Sequence, residues 1–282
     1  MAPATLPPVF DESHHAATFL RKVYRALQLG PKYYLWDLPR YFAHRRDRNL
    51  PLCDVAAFTN PLREFRSRSP AGMELPPHYP EALGHLADAG VRLTIPRQRL
   101  EALLQVWWST RTVAGDVIEC GAYRGATSLL LALLGRLNGV AQQVHMLDTF
   151  AGMPSVSGYD LGRQSGEFRP PPDQVELIRG QAAALGVMER IEVHKGLFAE
   201  TFAVLLPRRP AFAFVHIDAN IYQGTLDACR FTIPYVASGG AVVFDDYNGV
   251  CDLGARLAID EYFAGQGVKP LPLTASSAWV RL

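Results

Sequence analysis

The sequence has few cysteines, and no two of them have the spacing of a metal-binding or redox motif. The chain has 282 residues and four cysteines, which are widely separated: Cys53, Cys120, Cys229 and Cys251. Structural zinc sites and small disulfide frameworks both need closely spaced cysteines. A zinc-dependent or disulfide-stabilised protein is therefore not expected, and a reducing cytoplasm is the predicted location.

Long hydrophobic runs and a strong charge imbalance are also lacking. No run approaches the roughly 20 apolar residues of a membrane-spanning helix, and residues 1–10 are proline-rich, unlike a signal peptide. The formal net charge of +1 provides no overall attraction to nucleic acid. We therefore expect neither a membrane nor a nucleic acid as partner. The hydrophobic fraction of 49% is ample for a large core.

The dinucleotide-binding pattern G-x-G-x-x-G is absent from the turn where it would be informative. There the apolar run 116–120 leads into Gly121-Ala122-Tyr123-Arg124-Gly125, with tyrosine at position 123. Glu119 at the end of the run would repel a pyrophosphate, so a nicotinamide-dependent dehydrogenase is disfavoured. An acidic side chain at this turn suits a cationic ligand. A plain strand–turn–helix junction remains an alternative.

Short apolar runs alternate with helical patterns from residue 116 onward. The strand candidates are 116–120, 143–148, 190–195, 212–218 and 240–246. The helix candidates between and after them are 125–138, 173–186, 198–206, 222–237 and 253–263. This alternation predicts a parallel sheet with helices on both faces. Two short β-like pieces, 269–274 and 277–282, predict a closing hairpin whose last strand runs antiparallel.

The first 95 residues do not follow this alternation. We interpret residues 1–95 as a helical N-terminal cap that contributes to substrate binding or oligomerisation, and residues 96–282 as the α/β domain. A scaffold or dimerisation arm is an equally good interpretation of the first segment. The pattern from 95 to 109 predicts a helix that leads into the sheet.

Acidic residues follow two of the later strand candidates. Asp218 comes directly after one, and Asp245 and Asp246 end another. Ligands collect outside the carboxyl ends of parallel strands, so these side chains are expected to meet. Because carboxylates repel one another, a divalent cation is the simplest way to hold them together, and Mg²⁺ favours such oxygen ligands. The alternative is that Asp245 and Asp246 only cap a turn. Asn220 could add an oxygen ligand or a supporting hydrogen bond.

Asp148 ends the second strand candidate, where a carboxylate can accept both hydrogen bonds from a ribose diol. A turn or helix-capping role is the alternative. Glu119 and Asp148 together describe a cationic nucleoside, which favours S-adenosylmethionine over NAD. The following segment, 152–172, is long and rich in glycine and proline, so we interpret it as a lid or binding loop.

Three histidines fall on strand candidates: His145, His194 and His216. A histidine buried in a strand is more often hydrogen-bonded within the core than catalytic. We interpret all three in that way, with His216 as a minor catalytic candidate because it can face the same side as Asp218.

Five segments together resemble the motif series of the macrocin O-methyltransferase family. They are Val117–Gly125, Leu147–Pro154, Gly196–Phe202, His216–Tyr222 and Gly239–Tyr247. The family consists of class I, Rossmann-like, S-adenosylmethionine-dependent enzymes that methylate sugar hydroxyls on macrolides and related natural products. The resemblance implies an α/β fold with sheet order 3-2-1-4-5-7-6.

The same resemblance implies roles for individual residues. Mg²⁺ would be held by Asp218, Asp245 and Asp246, and Asp218 would also be the general base. Where the family commonly has a second aspartate, this chain has Asn220. The residues implied to bind the cofactor are Glu119, Gly121, Tyr123, Arg124, Gly125, Thr127, Ser128, Asp148, Gly196, Phe198 and Asp218.

The leading hypothesis is therefore an S-adenosylmethionine-dependent, Mg²⁺-dependent O-methyltransferase that acts on a hydroxyl of a small-molecule acceptor, a sugar on a secondary metabolite. Such an enzyme is expected to form a homo-oligomer. One alternative is a catalytically silent S-adenosylmethionine-binding protein with an assembly or regulatory role, and metal-dependent turnover would separate the two. A catechol-type O-methyltransferase is a further alternative, although no lysine follows Asp218 closely enough to serve as base.

Overall fold

The structure, a computed structural model, describes residues 9–11, 35–36, 38–48, 73–249 and 251–282. Much of the predicted cap over residues 1–95 lies outside these ranges, and so does Cys53. Cys120, Cys229 and Cys251 are buried free thiols. Within the described ranges, every helix is too short or too polar to cross a bilayer.

The described chain contains seven strands and eight α-helices. The strands are β1 (Asp116–Cys120), β2 (Val144–Asp148), β3 (Ile191–Lys195), β4 (Phe212–Ile217), β5 (Val236–Phe244), β6 (Leu271–Pro272) and β7 (Ala278–Arg281). The helices are α1 (Leu38–Asp47), α2 (Tyr79–Asp88), α3 (Arg97–Ser109), α4 (Ala126–Leu137), α5 (Gln174–Ala184), α6 (Phe198–Leu205), α7 (Tyr222–Thr232) and α8 (Leu253–Tyr262). Short 3₁₀ turns follow α6 and α7 and precede β3.

The strands form one sheet in the order β3-β2-β1-β4-β5-β7-β6. Strands β1 to β5 pair in parallel, whereas β7 runs antiparallel to both β5 and β6. The hairpin that reverses the chain is closed by a hydrogen bond from the Leu273 amide to the Ser277 carbonyl at 3.0 Å. The predicted α/β fold, the strand order and the antiparallel last strand are confirmed.

Most elements lie within two residues of their sequence-predicted limits, but one helix and one strand differ by four residues or more at one end. The helix predicted over 222–237 ends at Thr232, and a 3₁₀ turn follows over Ile233–Tyr235. Pro234 causes this change because proline cannot donate the next helical hydrogen bond. Strand β5 accordingly begins at Val236 instead of residue 240, and it ends before Asp245.

Alternate residues of the parallel strands pack into two cores on opposite sides of the sheet. On one side, Val117 of β1 packs with side chains of α2, α3, α4 and α5. On the other side, the next residue, Ile118, packs with side chains of α6, α7 and α8. A sheet buried on both faces explains why its strands read as continuous apolar runs.

Helix α1 packs on the surface that α7 and α8 form. Leu38 and Tyr41 of α1 are buried against Tyr222 and other apolar side chains of these helices. Arg45 is fully buried and donates to Asp260 at 2.5 Å. A buried guanidinium requires such a partner, so this ion pair fixes how α1 docks.

Candidate functional site

A cavity of about 510 Å³ opens at the carboxyl ends of β1, β2, β4 and β5. Its size is within the range of small-molecule sites. Most of the residues that the sequence analysis assigned to the site line this cavity: Glu119, Gly121, Tyr123, Arg124, Thr127, Asp148, Gly196, Phe198, Asp218, Asp245 and Asp246. The parallel sheet therefore brings together residues that lie far apart in the sequence.

Gly121 allows the ends of β1 and β4 to approach closely. Its φ is +100°, and a Cβ atom there would lie 1.9 Å from the Asp218 carbonyl oxygen. No side chain can occupy that space. The amide of Asp218 donates to the Cys120 carbonyl at 2.8 Å, which places Asp218 directly beside the β1 turn.

Gly125 and Ser128 do not line the cavity. Gly125 precedes α4 with a φ of +76°, and a Cβ atom there would lie 2.9 Å from the Ile178 side chain. Ser128 is fully buried and donates its hydroxyl to Glu119 Oε2. The structure thus places both residues where they pack or support their neighbours.

Glu119 forms part of the cavity floor and is engaged on both carboxylate oxygens. Its Oε1 atom lies 2.9 Å from His216 Nδ1, and Ser128 occupies Oε2. The residue is only 2% exposed. These contacts fix the position of the Glu119 carboxyl group beneath the cavity. They also place His216 against Glu119, below the cavity surface.

Asp148 is held in position by two backbone amides. Its Oδ2 atom accepts from Tyr123 N at 2.8 Å, and its Oδ1 atom accepts from Phe150 N at 2.7 Å. Burial raises the pKa of this carboxyl above its ordinary value. Because each carboxylate oxygen has two acceptor sites, Asp148 can still accept hydrogen bonds from a ligand in the cavity.

Asp218, Asp245 and Asp246 converge at the carboxyl ends of β4 and β5, which lie on the opposite side of β1 from β2 and Asp148. One oxygen atom of each lies within 4.8 Å of the others. Asp245 and Asp246 are buried, whereas Asp218 remains partly accessible along the cavity wall. Asp245 Oδ2 pairs with Arg99 at 2.5 Å, but Asp245 Oδ1 is buried and has no hydrogen-bond partner.

Two carboxyl groups of the cluster, Asp218 and Asp246, have raised pKa values. Burial, followed by repulsion from Asp245 and Asp246, holds the pKa of Asp218 well above its ordinary value. Burial and repulsion from Asp252 raise the pKa of Asp246 to about 7. A divalent cation fits this arrangement, because the donors are all oxygen atoms and one buried oxygen has no other partner.

Asn220 links two members of the cluster. Its backbone N–H donates to Asp246 Oδ2 at 3.0 Å, and its side-chain Nδ2 donates to Asp218 Oδ1 at 3.2 Å. The residue adopts a left-handed conformation, with a φ of +63°, which asparagine tolerates better than most residues. Asn220 therefore orients the aspartates, and its side chain presents a donor to Asp218.

Two arginines that the sequence analysis did not identify place positive charge beside the aspartate cluster. Arg99, on the first turn of α3, pairs with Asp245, from which it is separated by 146 positions. Arg163 is buried in the long loop, 2.5 Å from Asp252 and 3.7 Å from Asp246. Neither position carried a sequence signal, because both arginines reach the cluster from elements outside the strand-end motifs.

The long loop predicted over 152–172 forms one wall of the cavity, with Met153 and Phe168 among the lining residues. A hydrogen bond from Met153 N to the Glu167 carbonyl at 2.7 Å closes most of this loop on itself. Asp160 accepts from Tyr222 N at 2.6 Å, which attaches the loop to the start of α7. Whether this loop acts as a lid stays a prediction.

Comparison with known proteins places this chain in a family. Residues 91–276 match the family model described as "Macrocin-O-methyltransferase (TylF)". The chain is 30% identical over 147 residues to 8-demethyl-8-(2,3-dimethoxy-alpha-L-rhamnosyl)-tetracenomycin-C 4'-O-methyltransferase of Streptomyces olivaceus, covering 48% of this chain and 54% of the relative. It is 30% identical over 161 residues to demethyldecarbamoylnovobiocin O-methyltransferase of Streptomyces niveus, covering 54% and 59%.

Solved structures agree with the fold. The O-methyltransferase NovP superposes with a TM-score of 0.56 at 25% identity, covering 65% of this chain and 78% of that one. The calicheamicin methyltransferase CalS11 superposes with a TM-score of 0.58 at 20% identity, covering 76% and 99%.

The chain spans between one half and three fifths of the length of these two curated relatives. The family match, in contrast, covers β1 to β6 and ends just before β7. The predicted enzyme class, a methyltransferase, is that of the family and of these relatives. The chain belongs to the macrocin O-methyltransferase family.

Proposed function

We propose that this protein is an S-adenosylmethionine-dependent O-methyltransferase whose acceptor is a hydroxyl on the sugar of a natural product. The observation that carries the proposal is that acidic residues from two pairs of strands border one cavity. Its first half, at the ends of β2 and β1, is bordered by Asp148 and Glu119, and its second half, at the ends of β4 and β5, by the aspartate cluster at Asp218. A methyl transfer between two bound molecules needs such adjoining subsites.

The first half suits a cationic nucleoside. Asp148 is fixed by two backbone amides at the end of β2, where a carboxylate can accept both hydroxyls of a ribose. Glu119 contributes negative charge from the floor, which favours a ligand that carries an amino group and a sulfonium. S-adenosylmethionine, when bound, supplies a methyl group already activated on sulfur.

The second half suits an acceptor hydroxyl. Asp218 is the member of the cluster that remains accessible from the cavity. Without a cation, burial and the two neighbouring aspartates raise its pKa, so Asp218 binds a proton more strongly than an ordinary carboxylate. In the proposed reaction Asp218 takes the proton of the hydroxyl, while Asn220 holds its carboxylate in place.

We also propose that Asp218, Asp245 and Asp246 hold one Mg²⁺. The unpartnered Asp245 Oδ1 and the crowding of three carboxylates support this assignment. A divalent ion, when bound, would lower the pKa of an acceptor hydroxyl and orient it. Asp218 would then be ionised near neutral pH, and Arg99 would continue to balance the charge of Asp245.

The sugar acceptor is supported by family membership and by the rhamnosyl compound in the name of one relative. The experiment is transfer of a labelled methyl group from S-adenosylmethionine to a panel of glycosylated natural products, their aglycones and simple catechols. We expect product from a glycosylated acceptor, loss of activity in EDTA, and recovery with Mg²⁺. Asp218→Asn should lower kcat by at least about 100-fold.

The other outcomes contradict particular parts of the proposal. Full activity in EDTA would overturn the metal, and wild-type turnover by Asp218→Asn would overturn the base. Methyl transfer to catechols alone would show that the acceptor is a phenol and not a sugar. Tight S-adenosylhomocysteine binding without transfer to any acceptor of the panel would favour the silent, regulatory protein.

A further inference from the structure

A second group of potential metal ligands lies on the sheet, away from the cavity. His145 of β2 pairs in register with Glu192 of β3, and His194 follows Glu192 by two positions. Residues two apart on a strand share a face, as do register partners in a parallel pair. Ile118 of β1 is the register partner of His145, and Asp116 precedes Ile118 by two positions. Asp116 therefore belongs to the same face.

The ligand atoms of this group have the spacing of a tetrahedral metal site. His145 Nδ1 lies 3.3 Å from His194 Nε2 and 3.5 Å from Glu192 Oε2. For metal–nitrogen distances of about 2.0–2.1 Å, neighbouring ligands of a tetrahedral ion are separated by about 3.4 Å. The third contact, from His194 Nε2 to Glu192, is 3.7 Å and reaches the other carboxylate oxygen, Oε1. One ligand atom of each residue thus lies within 4.8 Å of the others, and three such ligands are the protein contribution to many zinc sites.

The surroundings of the three ligands also fit a metal site. Asp116 Oδ2 lies 3.3 Å from His145 Nε2, so it can fix the tautomer that leaves Nδ1 free to coordinate. Arg208 donates to Glu192 Oε1 at 2.6 Å, and Oε2 is the oxygen that faces His145. The two histidine side chains are buried, whereas Glu192 is 38% exposed and leaves a path to solvent.

We infer that His145 Nδ1, His194 Nε2 and Glu192 Oε2 bind one divalent transition-metal ion of the zinc type. Asp116 orients His145, and the fourth position is left for water. The ion would join the edge strand β3 to β2 and stabilise that side of the sheet.

This site is separate from the one in the cavity. His145 precedes Asp148 by three residues on β2, which corresponds to about 10 Å along the strand. Its two nitrogen ligands suit zinc, cobalt or nickel, whereas the aspartate cluster offers only oxygen ligands, which suit magnesium. The competing explanation is a chain of hydrogen bonds from His194 to His145 to Asp116 without any ion, and it predicts no metal uptake by these residues.

The test is calorimetric titration of the metal-free protein with Zn²⁺ in excess Mg²⁺, together with the visible spectrum after Co²⁺ addition. We expect one tight Zn²⁺ per chain, an intense tetrahedral Co²⁺ spectrum and a higher unfolding temperature with Zn²⁺. His194→Gln and His145→Asn should each weaken Zn²⁺ binding by at least about 100-fold and remove the spectrum. Glu192→Gln, at a partly exposed position, serves if the histidine variants fail to fold.

Two variants serve as controls. His85→Gln exchanges an exposed histidine outside the group, and Asp245→Asn removes a carboxylate of the cavity cluster. Both should bind Zn²⁺ like the wild type. The inference is overturned if the wild type takes up no Zn²⁺ in excess Mg²⁺. It is also overturned if the His194→Gln variant still binds Zn²⁺ while Asp245→Asn or His85→Gln abolishes binding.

Discussion

Asp246 shows how one buried residue links proton binding to folding. Burial and the nearby Asp252 raise its pKa from 3.8 to about 7. The folded protein therefore binds a proton at Asp246 more tightly than the unfolded chain does, and this proton stabilises the fold. Its contribution to the free energy of unfolding is present in full below about pH 4 and is lost as the pH rises to about 7.

The Asp246→Asn variant has no ionisable group at this position. The substitution should therefore remove this pH dependence of the free energy of unfolding. Without metal, we expect the variant to exceed the wild type in free energy of unfolding by about 1–2 kcal/mol at pH 8. The loss of attraction to Arg163 limits the gain. The advantage should disappear near pH 4. Urea unfolding in EDTA across this range is the measurement, with the exposed Asp173→Asn as control. An advantage that does not change with pH would contradict the linkage.

At the scale of elements, Asp160 connects the long loop to α7. Helix α7 begins after Ile221, which provides no side-chain cap. Asp160 serves instead, because its Oδ1 atom accepts from Tyr222 N while Oδ2 accepts from the amide and hydroxyl of Ser157. The carboxylate thus satisfies one of the free amides at the helix start from a distant position.

Asp160→Ala should lower the free energy of unfolding by about 2 kcal/mol, because it leaves the buried Tyr222 amide and the half-buried Ser157 amide without an acceptor. It should also increase hydrogen exchange in the loop over 152–168. Asp173→Ala is the matched control, since Asp173 precedes α5 without capping it. Equal effects of the two substitutions in thermal or urea unfolding would show that Asp160 does not act as a cap.

The strand positions could be predicted from the sequence because each buried strand is an apolar run that ends at a polar residue. Strand β1, for example, has the predicted limits of 116–120. The positions of Asp148 and Asp218 at strand ends follow from the same pattern. The early end of α7 was missed because the helical periodicity continues past Thr232, although Pro234 stops the helix.

The remaining parts of the site depend on three-dimensional contacts that no local pattern encodes. The contact of Arg99 with Asp245 is set by how α3 packs on the sheet. The grouping of His145 with His194 depends on the register between β2 and β3, and each histidine alone resembles an ordinary core residue. Register is fixed by the whole sheet, so the sequence analysis could not pair them.

At the scale of the whole molecule, the division at residue 95 does not separate the cores. Leu83 and Leu86 of α2 are fully buried in the same core as α3 and α4. Leu83→Ala should therefore cost about 2–5 kcal/mol in urea unfolding. Leu177→Ala, at a 47% exposed position, should cost less than about 1 kcal/mol. A small effect at Leu83 would mean that the fold does not depend on α2.

The expected homo-oligomer and cytoplasmic location stay predictions.

The central claim is that the cavity binds S-adenosylmethionine through Asp148 and without a contribution from Asp245. Calorimetry with S-adenosylhomocysteine tests it most directly, for the wild type, Asp148→Asn and Asp245→Asn. We expect tight binding to the wild type, at least about tenfold weaker binding to Asp148→Asn, and nearly unchanged binding to Asp245→Asn. Unchanged affinity in Asp148→Asn, or tighter binding of NAD than of S-adenosylhomocysteine, would contradict the account.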